Sequence, residues 1–310
     1  DIVLPCTTPL ERQDIAMTPR DPYIVSMSQL TKPFAQSRND YDIFAGIAGD
    51  LGILEAFTGG RSDAEWQRTI YEESRQSAAE MGHNLPEYER FLEKGWYKID
   101  DPSEPIIMLK EFRDDPVKNA LGTPSGKIEI FSQAVSDFGY DDCPGHTVWR
   151  EPYEWLGSDY QPHPFHLISN QPSAKLHSQI DHGSVSRASK VNGREALNIH
   201  PIDAKALGLI DGTLVRVYND RGACLGTTVI DPEMRRNVVQ MSTGSWFDPL
   251  DPADPYSLCK HGNPNVLTKD KGTSRLGQGP SAHTCMVSIE PFVGEPPKVT
   301  AHEPPEIIRN

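Results

Sequence analysis

The stretch Ala196-Leu-Asn-Ile-His-Pro-Ile-Asp-Ala-Lys-Ala-Leu-Gly-Leu-Ile-Asp-Gly-Thr-Leu-Val-Arg-Val-Tyr218, with Asn219-Asp-Arg-Gly222 behind it, decides the fold class. Ala196–Ile199 reads as a short strand. His200–Gly208 reads as a helix of one to two turns, with Pro201 at its first position, where its missing N–H costs nothing, and a glycine after its end. Asp211-Gly212 is a turn, and Thr213–Tyr218 is a strand with alternating faces. Asn219–Gly222 then reverses the chain into Ala223–Ile230. Outward from this stretch, Phe165–Ile168 and Asn237–Met241 add two more strands. Short strands separated by turn signals predict a barrel or sandwich.

Further upstream the texture is helical. Residues 39–52 carry Ile43, Phe44, Ile47 and Leu51 at helical spacing, with Gly52 as a stop. Ser62-Asp-Ala-Glu65 is a capping-box pattern, and the helix it opens, running to about Ala79, is expected to bury Trp66 and Ile70. Asn84-Leu-Pro86 precedes another short helix ending near Gly95. Thr123-Pro-Ser-Gly126 is a turn followed by the alternating run Lys127-Ile-Glu-Ile-Phe131. Residues 141–161 are rich in Pro, Gly, Trp and Tyr without periodicity. They mark a boundary between a domain over 1–150 and one over 151–310. The Pro- and Glu-rich tail from Gly294 is expected to lie extended over the surface. At the other end, Asp1-Ile-Val-Leu-Pro5 reads as a buried strand that needs neighbours on both sides, as in the later part of a larger protein.

Composition narrows the function classes. The 310 residues carry 30 Lys+Arg against 44 Asp+Glu, a formal charge of −14, which excludes a non-specific binder of phosphate backbones. No stretch approaches the roughly 18 apolar residues of a membrane span. Five cysteines (6, 143, 224, 259 and 285) form no CxxC pair, so neither a disulfide framework nor a zinc ribbon follows from them.

Chemistry-bearing residues concentrate in three clusters. Ser169-Asn-Gln-Pro-Ser-Ala-Lys-Leu-His-Ser-Gln179 follows a strand directly and offers Asn170, Gln171, His177, Ser178 and Gln179 around one charge, Lys175. Amides present donor and acceptor together to a heterocycle edge, and a cation pairs with phosphate. Met241-Ser-Thr-Gly-Ser-Trp-Phe-Asp-Pro249 would let backbone approach a ligand and rings stack on it. His261–Pro280 is a loop–turn–loop with many backbone N–H groups able to cradle an anion. The first cluster also reads as a capped, hydrogen-bonded loop, and the second as a tight loop with core aromatics. His163, His166, His177 and His182 do not have zinc-motif spacing, and no GxSxG elbow supports a Ser/His/Asp triad.

In order along the chain, Ser169–Gln179, Ser184-Val-Ser-Arg-Ala-Ser-Lys-Val-Asn-Gly-Arg-Glu195 and Ile199-His-Pro201 through Gly222 resemble the C-terminal cofactor domain of the dimethyl-sulfoxide-reductase family of molybdenum oxidoreductases. So do Thr243-Gly-Ser-Trp-Phe-Asp-Pro249, His261-Gly-Asn-Pro-Asn-Val-Leu-Thr268 and Gly272-Thr-Ser-Arg-Leu-Gly-Gln-Gly279. The wording is similar to the biotin-sulfoxide and trimethylamine-N-oxide reductase branch. Asp1–Pro5 and Thr7-Thr-Pro-Leu-Glu-Arg-Gln-Asp14 are similar to the last strand of the family's Rossmann-like domain and the loop after it.

The resemblance implies an α/β segment, the end of a Rossmann-like domain with helices, followed by a six-stranded β-barrel domain. It implies bis(molybdopterin guanine dinucleotide) with molybdenum as cofactor, and two-electron reduction of an S- or N-oxide in the complete protein. Ser169, Asn170, Gln171, Lys175, His177, Ser178 and Gln179 are the implied cofactor-binding residues, with Gln171 and His177 at a pterin and Lys175 near a phosphate. Asn263 and Gln278 join them. The Glu11–Asp14 loop is expected to face the substrate funnel. The family's metal ligand lies in an N-terminal portion outside this sequence, so no catalytic residue and no metal ligand are expected here. The implied partners are that N-terminal part, the oxide substrate and an external electron donor, with no nucleic acid. The compartment, periplasmic or cytoplasmic, stays open. The competing reading is a free-standing, non-enzymatic barrel that binds a ligand or a partner.

Overall fold

Alternation along Leu214–Asn219 places Val215, Val217 and Asn219 inside and the residues between them towards the surface, the pattern of a strand curving round one core. In the computed structural model, which describes residues 3–19, 21–99, 105 and 107–304, that strand belongs to the second of two compact units, Asp1–Lys118 and Asn119–Asn310.

The first unit is helix-containing α/β. Its antiparallel sheet has the order β1 (Asp14–Met17), β2 (Tyr23–Met27) and β3 (Trp96–Lys98). Helices α1 (Asp40–Asp50), α2 (Leu54–Thr58), α3 (Asp63–Glu80) and α4 (Tyr88–Lys94) lie between β2 and β3, and α5 (Lys110–Asp114) follows. The capping box at Ser62 and Glu65 is present, and α4 ends at Gly95 in the left-handed region. The core gathers Ile24, Tyr71, Leu85, Tyr88 and Phe91, with Tyr71 stacked on Phe91 at 4.6 Å.

Two expectations are corrected here. The buried face of α3 is Gln67, Tyr71 and Ala78, not Trp66 and Ile70. Trp66 is half-buried because its indole N–H reaches the Thr58 carbonyl at 2.8 Å, and Ile70 faces outward. Nor do the described residues of the N-terminal apolar run, Val3–Pro5, form a buried strand. Asp1 and Ile2 lie outside the described residues. Val3 and Leu4 are exposed, and the segment's pairing is one parallel bridge, Cys6 with Arg38. An apolar run is buried only where strands flank it, and the described residues flank this one on a single side.

The second unit begins with α6 (Gln133–Asp137) and builds a closed barrel from β4 (Phe165–Ile168), β5 (Ala196–Ile199), β6 (Leu214–Asn219), β7 (Gly222–Ile230), β8 (Val238–Met241) and β9 (Cys285–Pro291). Helix α7 (Ser184–Ala188) precedes β5 and α8 (Pro201–Ala206) follows it. Around the barrel the order is β4-β8-β5-β7-β6-β9. The β4–β8 and β5–β7 pairs are parallel and the others antiparallel. The expected six-stranded barrel is therefore present, and closure leaves it no sheet edge.

The core is filled by residues including Leu167, Leu197, Ile199, Val217 and Val239. Three free thiols, Cys224, Cys259 and Cys285, are also buried in it. The segment 141–161, expected to divide the domains, clusters with the barrel. Glu154 accepts both guanidinium arms of Arg221, at 2.6 and 2.9 Å, and the Met286 N–H at 2.9 Å. The run Lys127–Phe131 forms no strand, and Ile128 and Ile130 are exposed.

Candidate functional site

Strand direction brings the three polar clusters together. Parallel β4 and β8 release the chain at the same barrel end, into 169–183 and 242–248. Antiparallel β9 starts at that end, with Cys285 opposite Leu167, so the loop before it, which holds Gln278, opens there as well.

The first two clusters touch. The Thr243 N–H donates to the Asn170 carbonyl at 2.9 Å, the Ser242 hydroxyl to Asn170 Oδ1 at 3.2 Å and the Trp246 indole to the Ser178 carbonyl at 2.7 Å. A Cβ on Gly244, whose φ is +94°, would stand 1.8 Å from the His177 carbonyl oxygen. Only glycine permits this approach.

Besides Asn170 and Lys175, the expected site residues fall into three groups. His177, Ser178 and Gln179 are exposed, and their side chains have no hydrogen-bond partner among the described residues. Gln171, Asn263 and Gln278 each use one side-chain group locally. Gln171 Nε2 donates to the Lys175 carbonyl at 2.8 Å, Asn263 Oδ1 accepts the Asn265 N–H at 2.9 Å, and Gln278 Nε2 donates to the Ser274 and Arg275 carbonyls. Ser169 is buried at the end of β4.

Lys175 differs from its expected role beside a phosphate. Its side chain is 1% exposed, and its Nζ lies 3.1 Å from both Asp181 Oδ1 and Glu195 Oε2. An ammonium buried in this way needs its carboxylates, so it turns inward and braces the loop.

Strain marks the same loops. His177 (φ 49°), Ile180 (φ 54°) and Gln278 (φ 45°) are left-handed without being glycine. Each costs on the order of 1–3 kcal/mol and persists because its surroundings hold it. For 176–180 the bracing is Lys175 on one side and the Trp246 indole on the other.

Beneath this surface lies an ionic cluster that the sequence reading missed. Lys190 Nζ is 3.0 Å from Asp181 Oδ1 and 3.1 Å from Glu195 Oε2, and it donates to Ser245 Oγ at 3.0 Å. Ser245 in turn donates to Glu195. Two ammoniums and two carboxylates thus neutralise one another out of water. Asp181 Oδ2 accepts the Trp246 N–H at 3.1 Å and His302 Nε2–H at 3.1 Å. Burial alone would raise the Asp181 carboxyl, but the His302 and Trp246 bonds and Lys190 hold it well below the usual carboxylate range.

His261 is wholly buried, and its Nδ1 lies 3.1 Å from the Trp246 carbonyl. A carbonyl only accepts, so Nδ1 carries the proton and Nε2 is left without a partner. Burial first, and Lys190 second, push its pKa down to about 4. Lys190, Glu195, Trp246 and His261 all sit in quoted motifs, but no spacing rule signals that they meet.

Asp181, His261 and His302 place three ligand-type atoms within 4.8 Å of one another. The Lys175 and Lys190 ammoniums already balance Asp181 and Glu195, so a divalent cation would leave uncompensated positive charge in a buried site. Hydrogen bonding accounts for the cluster better. The four histidines rejected as zinc ligands do not gather either: His163 meets Ser288 Oγ, and His166 meets the His283 carbonyl.

In the first unit, Glu11 is buried, and its carboxylate accepts the N–H groups of Thr8 and Phe34. Those bonds hold its pKa below the usual range. Arg12 pairs with Asp14 and Asp40. The charged groups of this loop are thus engaged within the unit. Among the described residues no helix is long and apolar enough to cross a membrane.

Residues 165–286 match the family described as Molydopterin dinucleotide binding domain. The chain is 42% identical over 296 residues to biotin sulfoxide reductase of Cereibacter sphaeroides, covering 95% of this chain and 39% of that protein. It is 39% identical to trimethylamine-N-oxide reductase of Haemophilus influenzae, over 99% of this chain and 38% of the relative. With dimethyl sulfoxide/trimethylamine N-oxide reductase of Cereibacter sphaeroides the identity is 38%, with the same two coverages. The chain thus spans about two fifths of the length of the curated relatives it matches. Among solved structures, acetylene hydratase from Pelobacter acetylenicus shares the fold with a TM-score of 0.66 at 19% identity, over 93% of this chain and 38% of that one.

Proposed function

The chain belongs to the dimethyl-sulfoxide-reductase family of molybdenum oxidoreductases, with its barrel as the molybdopterin dinucleotide-binding domain, and from that premise we propose that it is a C-terminal part of an S- or N-oxide reductase that holds bis(molybdopterin guanine dinucleotide). One observation carries the reading: three polar clusters leave the barrel at a single end because β4, β8 and β9 are directed that way.

The residues present suit such a cofactor. His177, Ser178 and Gln179 offer unpaired donors and acceptors to a heterocycle edge, and Gly244 lets two backbones meet beneath them. Asn170, Gln171, Asn263 and Gln278 line the loops around, and Ser169 anchors the first of them to β4. Lys175 acts from below, as a positioning residue rather than a phosphate contact. When bound, the molybdenum cofactor supplies the two-electron oxygen-transfer chemistry. The chain's own residues orient the cofactor. The rest of the reductase, an oxide substrate and an external electron donor complete the proposed system.

The test is made in the complete protein with His177→Ala and Gln179→Ala, which remove side chains that hold nothing else in place. Molybdenum and guanine content per chain should fall while far-UV circular dichroism stays unchanged. Full cofactor content in both variants would overturn the assignment of this loop.

A further inference from the structure

The Pro-rich tail, expected to lie extended over the surface, is tied there to buried polar groups through Pro297–His302. The Thr300 N–H and hydroxyl donate to Asp248 Oδ2 and Oδ1, both at 2.7 Å, and the Ala301 N–H donates to Oδ2 at 3.1 Å. Lys260 Nζ donates to Thr300 Oγ1 at 2.9 Å, and Arg194 donates to the Pro297 carbonyl. His302 Nε2–H reaches Asp181 Oδ2 at 3.1 Å. The four barrel-side residues, Asp181, Arg194, Asp248 and Lys260, are all buried. Without the tail, Asp248 would lose three donors, and Asp181 the one that does most to keep it ionised.

His302 also meets both anchors of the candidate cofactor loop. Asp181, which it donates to, is the carboxylate that holds Lys175. Trp246, whose indole holds the Ser178 carbonyl, packs edge-on to the His302 ring at 5.7 Å. We propose that Pro297–His302 is a strap that locks the buried Lys175–Asp181–Lys190–Glu195 cluster and so fixes the backbone of 169–183 for its ligand, with Thr300 and His302 as positioning residues. The inference rests on the cofactor reading of that loop, and the test separates the two.

Hydrogen–deuterium exchange is followed in the intact protein, cofactor-loaded and cofactor-stripped, for the wild type, a chain truncated after Gly294, His302→Ala and His302→Gln. His302→Ala should speed exchange across 169–183 and 243–248 about tenfold, the weight of one hydrogen bond to a buried charge, and truncation, which removes that bond and those to Asp248, Lys260 and Arg194, by at least as much. This should occur in both states, with β5, β6 and β7 unchanged. His302→Gln keeps an N–H donor for Asp181 and should restore most of the protection. If truncation or His302→Ala leaves those peptides at the wild-type rate, the strap is refuted. It is equally refuted if exchange rises evenly over the barrel, or if His302→Gln behaves as His302→Ala. Should the truncated chain fail to fold, the two His302 substitutions decide alone. The cofactor reading fails separately, if loading does not protect 169–183 in the wild type.

Discussion

Replacing Lys190 by Met removes one of two ammoniums that neutralise Asp181 and Glu195, at a side chain only 1% exposed. Met conserves the unbranched stem, so the lost volume is small, and the perturbation is one buried negative charge left without its partner. Such a break costs about 3–5 kcal/mol. For a unit the size of Asn119–Asn310, roughly 2–4 °C is lost per kcal/mol, so its melting temperature should fall by about 6–20 °C in calorimetry. Glu195→Gln alone leaves the opposite imbalance and should also destabilise. The double variant Lys190→Met/Glu195→Gln keeps one ammonium with one carboxylate, Lys175 with Asp181, and should be more stable than either single variant. If Lys190→Met shifts melting by less than about 2 °C, or the double variant loses the sum of the singles, the charge-balance argument is wrong.

His261 gives the barrel a pH dependence of known sign. Its folded pKa near 4 lies below the ordinary 6.5, so the unfolded chain binds the proton first, and stability falls as pH drops from about 6.5 towards 4. The linkage amounts to about 2 kcal/mol lost by pH 5 relative to pH 7.5. Urea midpoints at those pH values read it, and His261→Leu should flatten the slope. Gly244→Ala drives a methyl into the His177 carbonyl at a left-handed position. It should cost more than about 2 kcal/mol and lower cofactor content together with urea stability. Phe91→Ala, at a fully buried ring of the first unit, should cost that unit about 3–5 kcal/mol. The loss is read from the urea midpoint of amide-exchange signals in α3 and α4, and a shift of less than about 1 kcal/mol would refute the burial argument.

The strands of the barrel were largely legible because their information is local. Leu214–Asn219 alternates, Asn219–Gly222 turns, and Pro201 and Gly208 bracket a helix. β9 went unread because Cys285, Met286 and Val287 are buried in succession, which is no alternation at all. Trp66 and Ile70 misled because an apolar residue on a helix says nothing about which neighbour covers it. The exposed half of the candidate site was visible as a polar loop. Its buried half was not, since Asp181 and His302 are 121 residues apart and a lysine in a sequence does not declare which way it points. Lys175 looked like a phosphate contact for that reason.

Closure of the barrel has a practical consequence through its three interior sulfurs. Burial raises the Cys224 thiol far above its ordinary value and Cys285 to about 11, so neither offers thiolate to a reagent while the barrel stays shut. Cys6 and Cys143 are accessible. A thiol-specific dye should therefore label Cys6 and Cys143 first, with Cys6 slowed by the Asp40 carboxylate that accepts its S–H and raises its pKa, and the other three only as fast as the strands part. The slow fraction is a built-in clock for barrel opening, read without any engineered probe.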